Sequence, residues 1–403
     1  MLGGIYSVVL SMRRALAEQG VDLTWVAAGR TMSRDVLETA TKEDMVFGAV
    51  IATDTDDEVE KAKALLEYIA QSGAQIVVFH ALGGLMETNL ARYLPGHVRR
   101  ILIVHTITVS TYNAAKAVRD WVHAAIGVSP RISFDLVNRC GWEAARVFTI
   151  PNAVDVTVFQ GSARSRAADR PLRVLSCGRV EHASKGALWI PSIVQRAIKL
   201  GADVTVTIGG DGPDLAQLRD EVVRRGIEGR VRFLGAVPRA SVPDLMAEHD
   251  VLLFLSIYEG LGITLVEAMA TGCVPVASCI RGVTDFLIRD GDNGLLFAIG
   301  DTDAAAAHLL YLYRNAEARA AMGRSAAGSA GRFDLPRFGE AYAKVLEHVL
   351  KSHHPINVPL AMTDWRMPGL LGPGLRRFVP AGMKNSLRIV RERLHGLGSN
   401  TSA

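Results

Sequence analysis

Two glutamates, Glu259 and Glu267 of YEGLGITLVEAM, stand eight residues apart across a turn that holds Gly260 and Gly262. An ionised carboxylate only accepts hydrogen bonds, so each could take two from the hydroxyls of a sugar or ribose. Between them the amides of Gly262, Ile263 and Thr264 fall where a helix begins, and unpaired amides at a helix start attract an anion such as phosphate. A plainer reading competes, because Thr264-Leu265-Val266-Glu267 also fits the capping box, in which Glu267 only closes the helix start. Upstream, LSCGRVEHASKG carries Arg179 and Lys185 in a loop bounded by Gly178 and Gly186. Two cations beside one strand end suit a diphosphate: arginine forks onto two oxygens and lysine acts as a point charge. The alternative is a solvated basic loop.

Weaker signals surround these. TIGGDGPDLAQLR is glycine-rich between a strand and a helix, but it is neither GxGxxG nor a P-loop, so it establishes only a tight turn. Gly3 and Gly4 precede a helix and would let backbone approach a phosphate. His105 ends RILIVHT and His80 ends QIVVFH. A histidine at a strand end is commonly a satisfied core residue. Asp54 and Asp56 in ATDTDDE could hold a divalent ion. They lie just before the helical stretch DEVEKAKALLEYIAQSG, however, where acids serve as caps and dipole partners.

The elements that must position these groups alternate regularly. DLTWVAA, MVFGAVIA, QIVVFH, RILIVHT and AAIGVS read as buried strands in the first half, and LRVLSCG, DVTVTIGG, VRFLGA, VLLFLS and VPVAS in the second. Amphipathic helical stretches separate them, which predicts an α/β protein with two doubly wound parallel sheets. The boundaries read as a first domain over 1–158, a linker over 159–171, a second domain over 172–333, a terminal helix over 334–352 and a basic tail over 353–403. The chain opens as MLGG directly before a helix, so the first strand of the first sheet, which would ordinarily lie near its centre, is missing from the pattern.

Composition bounds the function. At 403 residues, with 49% hydrophobic and 21% charged residues, two ordinary cores are expected. The four cysteines show no zinc spacing and no disulfide density, which predicts a reducing cytoplasm. No apolar run reaches the roughly 20 residues of a membrane span, and no secretory leader opens the chain. From Lys351 onward eight Lys/Arg face two Asp/Glu, leaving the first 350 residues at −2 within a total of +4. A basic tail on a nearly neutral body argues against a nucleic-acid partner.

Six features in order resemble one family, the retaining GT-B glycosyltransferases of family 4 (glycosyl transferases group 1). They are the E-x7-E pair of Glu259 and Glu267, the loop of Arg179 and Lys185, GGDGP, VRFLGAV, PNAVDVTVF and DGDNGLLF. The resemblance covers most of residues 1–350. It implies two Rossmann-like domains facing across a cleft. Arg179 and Lys185 would bind a nucleotide-sugar diphosphate, aided by amides of Gly262, Ile263 and Thr264 and by Gly3 and Gly4. Gly178, Gly260 and Leu261 belong to the same donor-binding loops. Glu267 would hold the ribose, Glu259 the donor sugar, Leu234 and Gly235 the nucleobase, and His105 would lie beside donor sugar and acceptor. Ala153 and Asp285 depart from the family pattern, which usually has glycine and often glutamate there.

The reaction so implied is transfer from a UDP- or GDP-sugar by front-side attack with retention, without a metal or other cofactor. Its acceptor is a carbohydrate or a lipid-linked molecule. Three rivals stand beside it: a metal-dependent transferase using Asp54 and Asp56, a non-catalytic nucleotide-sugar-binding subunit, and an epimerase or phosphorylase on the same fold. In the tail, KNSLRIVRERLHGLG places Leu387, Val390, Leu394 and Leu397 on one stripe near Arg388, Arg391 and Arg393. Such a helix either docks on the protein itself or lies on an anionic membrane, which would put a cytoplasmic protein at the inner face.

Overall fold

Short aliphatic and β-branched runs, closed by glycine or polar residues, build the strands of both halves of the chain. The computed structural model describes residues 4–81, 85–161, 171–352, 354–371, 379 and 381–397. It divides into two units, Met1–Ala153 with Leu335–Gly374, and Val154–Asp334 with Leu375–Ala403.

In the first unit the strands are β1 (Trp25–Ala28), β2 (Gly48–Ile51), β3 (Ile76–Ala81), β4 (Arg99–Val104), β5 (Ala124–Gly127) and β6 (Val147–Thr149). All pairings are parallel, in two separate ladders, β1-β2 and β3-β4-β5-β6. A doubly wound sheet normally holds its first strand between these two groups. Among the described residues the first element is the helix Gly4–Ala17, and no strand joins the two ladders. The strand β6 adds to the expected set. It has three residues at the ladder edge, too few to show a period.

The second unit holds β7 (Leu172–Cys177), β8 (Val204–Gly209), β9 (Val231–Gly235), β10 (Val251–Phe254), β11 (Val274–Ser278) and β12 (Leu295–Phe297). They form one parallel sheet in the order β12-β11-β10-β7-β8-β9. The central strand β10 is apolar and buried throughout, as expected where helices cover both faces; Val174, Val204, Val206, Val251, Val274 and Val276 are buried in one core. The short edge strand β12 is likewise absent from the sequence pattern.

The predicted terminal helix is Leu335–Lys351, and it belongs to the first unit. Leu335, Phe338, Tyr342, Val345, Leu346 and Val349 make its buried stripe. It packs on Gly4–Ala17 so closely that a Cβ at Gly339 would meet the Ala15 carbonyl oxygen at 2.4 Å. The tail forms the helix Ala381–Leu397 within the second unit. Leu387 and Val390 are exposed on it, whereas the side chains of Arg391, Arg393, Leu394 and Leu397 lie outside the described residues.

Replacing Gly339 with leucine should force these two helices apart. Overpacking of this kind costs about 1–3 kcal/mol, a fall in Tm of roughly 2–10 °C. A thermal melt of the variant measures it.

Candidate functional site

In the second unit the chain runs from β7 through β8 to β9 on one side, then returns to place β10, β11 and β12 on the other. The order therefore reverses between β7 and β10. Neighbouring loops leave in opposite directions there and open a crevice at the carboxyl ends, the place where such sheets bind ligands. The loop after β7 carries Arg179 and Lys185, and the loop after β10 carries Glu259, Gly260, Leu261 and Gly262. The topology thus brings together two stretches more than 70 residues apart in sequence.

The two loops are joined. The Ile257 N–H donates to the Ser184 carbonyl oxygen at 2.8 Å. The Lys185 ammonium pairs with Glu259 Oε1, which also accepts from Ser256 Oγ at 2.9 Å. Glu259 is only 14% exposed in its side chain, so this pair is partly withdrawn from water. Arg179 extends outward, 66% exposed, with Nε 3.6 Å from Glu181 Oε1.

The glycine-rich GGDGP stretch braces this arrangement from behind. Gly178 N–H donates to the Gly209 carbonyl and Val180 N–H to that of Asp211, each at 2.9 Å. His182 N–H donates to Asp214 Oδ2 at 2.6 Å. A Cβ on Gly210 would sit 1.8 Å from the Gly178 oxygen, so only glycine lets the loops touch. Gly210 N–H in turn donates to the Gly235 carbonyl at 2.7 Å, which ties in the end of β9, where Leu234 and Gly235 are half-buried.

The helix Ile263–Ala270 starts where expected, but the capping box does not form. Gly262, at φ 90°, is its N-cap, and no side chain caps it. Thr264 is the second helical residue, so its hydroxyl cannot occupy the cap position and Glu267 has no reciprocal partner. Among the described residues no hydrogen bond engages the Glu267 carboxylate. That carboxylate is half-buried by surface area, yet enough protein encloses it that burial pushes its pKa up to about 7, against a smaller opposing pull from Arg239. Next to it, at the end of β7, the Cys177 thiol is pushed up to about 11 by burial and then by Glu267. The first amides of the helix, at Ile263 and Thr264, have no partner within it.

In the first unit, His80 is the penultimate residue of β3 and His105 follows β4 directly, so adjacent parallel strands deliver the two rings to one place. His80 Nδ1 lies 2.9 Å from His105 Nε2, with ring centroids 5.1 Å apart and nearly parallel at 11°. Burial lowers His80 to about 4 and His105 well below its ordinary value, so both are neutral and one ring must donate to the other. The sequence offers no signal for this pairing except the shared strand-end position. Gly4 opens the helix Gly4–Ala17, while Gly3 lies outside the described residues. Asp56 accepts from the Thr31 amide at 3.2 Å and hydroxyl at 3.0 Å, and Asp57 caps the helix Glu58–Ser72. Asp56 therefore bonds the start of the preceding helix Arg30–Thr39, and the helix after it is capped by Asp57 and not by Asp54 or Asp56.

A family model described as Glycosyl transferases group 1 matches residues 161–328, and one described as Glycosyltransferase Family 4 matches residues 2–158. A phosphatidyl-myo-inositol mannosyltransferase of Mycobacterium leprae is 31% identical over 258 residues, 63% of this chain and 67% of that protein. The chain belongs to the group 1, family 4 glycosyltransferases. Within that family, a component of the phosphatidylinositol N-acetylglucosaminyltransferase of Arabidopsis thaliana is 30% identical over 169 residues, 42% of this chain and 37% of that protein. The matched part is between 36% and 56% of the length of this and two further curated relatives. Among solved structures, Anabaena HepE in complex with UDP superimposes with a TM-score of 0.68 at 19% identity, over 84% of this chain and 96% of that one. A Rickettsia africae glycosyltransferase gives 0.69 at 14% identity, over 87% and 96%. These likenesses establish the α/β GT-B fold. The two departures from the family pattern are accommodated locally: Ala153 is buried, and Asp285 Oδ1 accepts from the Gly282 N–H at 2.6 Å.

Because Glu267 titrates near 7 when folded but in the ordinary carboxylate range when unfolded, it favours the fold below about pH 4.5. That contribution fades as pH rises to about 7 and is gone above it. Glu267→Gln removes the effect, so the variant should gain thermal stability relative to the native chain at pH 8 but not at pH 4.5. Melts at the two pH values check this.

Proposed function

We propose that this protein is a hexosyltransferase that moves a sugar from a nucleoside diphosphate sugar, a UDP- or GDP-sugar, to a carbohydrate or lipid-linked acceptor. Anomeric configuration is retained in this reading, and no metal is required. The observation that carries it is the pair of joined loops at the switch point, which sets Lys185, Glu259 and a helix start around one crevice. Sugar transfer from such a donor depends above all on stabilising the departing diphosphate, and fixed cations and amides do so without reorganising. Arg179 and Lys185, with amides of Gly262, Ile263 and Thr264, take that role.

On donor binding, the diphosphate replaces Glu259 as the partner of Lys185. Glu259 is then free to accept from hydroxyls of the sugar. Glu267, which no protein group satisfies among the described residues, accepts from the ribose, and Leu234 and Gly235 flank the base. His105, held neutral and paired with His80, serves in this reading as a hydrogen-bonding group and not as a cation. The UDP complex of HepE supports the donor class. The names of the M. leprae and A. thaliana relatives support a phosphatidylinositol-type lipid as acceptor.

Lys185→Ala should lower transfer by ~100-fold or more while circular dichroism shows an intact fold. Native rates in that variant would remove the reading. UDP binding by the native chain with no turnover on any acceptor would favour a non-catalytic binding role, and loss of activity in EDTA would favour a metal-dependent route.

In this reading the protein works on the cytoplasmic face of a membrane. No helix among the described residues is long and apolar enough to cross one. Met383, Leu387 and Val390 are exposed along the basic helix Ala381–Leu397, a composition suited to anionic lipid. The protein should sediment with vesicles containing phosphatidylserine, and Leu387→Ser with Val390→Ser should leave it in the supernatant; unchanged partitioning would end the membrane proposal.

A further inference from the structure

The helix Ala381–Leu397 has a second face. Lys384, Asn385, Arg388, Ile389 and Glu392 are half-buried, whereas Met383, Leu387 and Val390 are 57%, 62% and 54% exposed. The half-buried positions 385, 388, 389 and 392 recur at helical spacing, so a single stripe is docked on the second unit.

What that stripe touches is the pair of loops at the switch point. Asn385 Nδ2 donates to the Ala183 carbonyl oxygen at 2.7 Å. The Arg388 guanidinium lies over the Tyr258 ring, 3.9 Å from its centroid. Ala183 stands two residues before Lys185, and Tyr258 directly precedes Glu259. One turn of one helix therefore reaches both loops, beside each member of the Lys185–Glu259 pair. The main-chain hydrogen bond from Ile257 to Ser184 lies between the two contact points in sequence.

We propose that this helix is a clamp that fixes the spacing of the two donor loops, with Asn385 and Arg388 as positioning residues for donor binding. This rests on the reading of those loops as the nucleotide-sugar site. Loops are the least constrained parts of a sheet's carboxyl end. A rigid helix bonded to the carbonyl of one and stacked by a cation on the aromatic ring of the other removes freedom that donor binding would otherwise have to remove. Neither residue need touch the donor.

The test uses the full chain. UDP and GDP affinities come from calorimetry, donor KM and kcat from initial rates, and backbone exchange over 179–186 and 256–262 from hydrogen–deuterium mass spectrometry without nucleotide. Arg388→Ala and Asn385→Ala should each weaken nucleotide binding and raise donor KM by roughly 3- to 10-fold, leave kcat nearly unchanged, and speed exchange in both loops. Arg388→Lys, which keeps a cation over the ring, should restore most of the affinity. Native affinity and native exchange in both alanine variants would overturn the clamp. If the native chain binds neither nucleotide, the donor-site reading fails, and exchange in the two loops still decides whether the helix restrains them.

Discussion

One short main-chain hydrogen bond, from Ile257 N–H to the Ser184 carbonyl, holds the rest of the site together. It crosses the point where the strand order of the second sheet reverses, the one place where consecutive loops diverge and leave a crevice. Because it fixes backbone to backbone, Lys185 and Glu259 meet without either long side chain having to define the geometry. Behind it the glycine-rich turn packs against Gly178 and Val180, and outside it the tail helix reaches Ala183 and Tyr258.

The electrostatics follow from this frame. A lysine and a carboxylate partly withdrawn from water satisfy one another, so the loops tolerate concentrated charge. Glu267 is different: no hydrogen bond satisfies it among the described residues, Arg239 offsets its burial only in part, and its pKa is driven up to about 7. A group so perturbed at a strand-end crevice is what a site built for an absent partner looks like. The histidine pair of the first unit shows the opposite solution, in which two buried titratable rings satisfy each other and stay neutral.

Much of the fold can be read from the chain. Ten of its strands announce themselves as aliphatic runs, and the helix Leu335–Lys351 by its apolar stripe. Arg179, Lys185, Glu259 and Glu267 stand out because their residue types and strand-end positions suit one anionic, hydroxylated ligand. The edge strands Val147–Thr149 and Leu295–Phe297 do not, because three residues carry no periodicity. The capping box at Thr264 misleads for a related reason: the motif specifies residue types, while the cap belongs to whichever residue adopts the turn, and that is Gly262.

The sequence by itself determined the α/β alternation, the sites of the glycine turns and the chemical identity of the charged groups. These are properties of short segments, set by side-chain pattern and backbone freedom. Only the tertiary structure decided which of those groups meet: Lys185 with Glu259, His80 with His105, and the tail helix with the two donor loops. Each such contact joins segments 25 to more than 200 residues apart, and it exists only because the sheet order and helix packing bring them together.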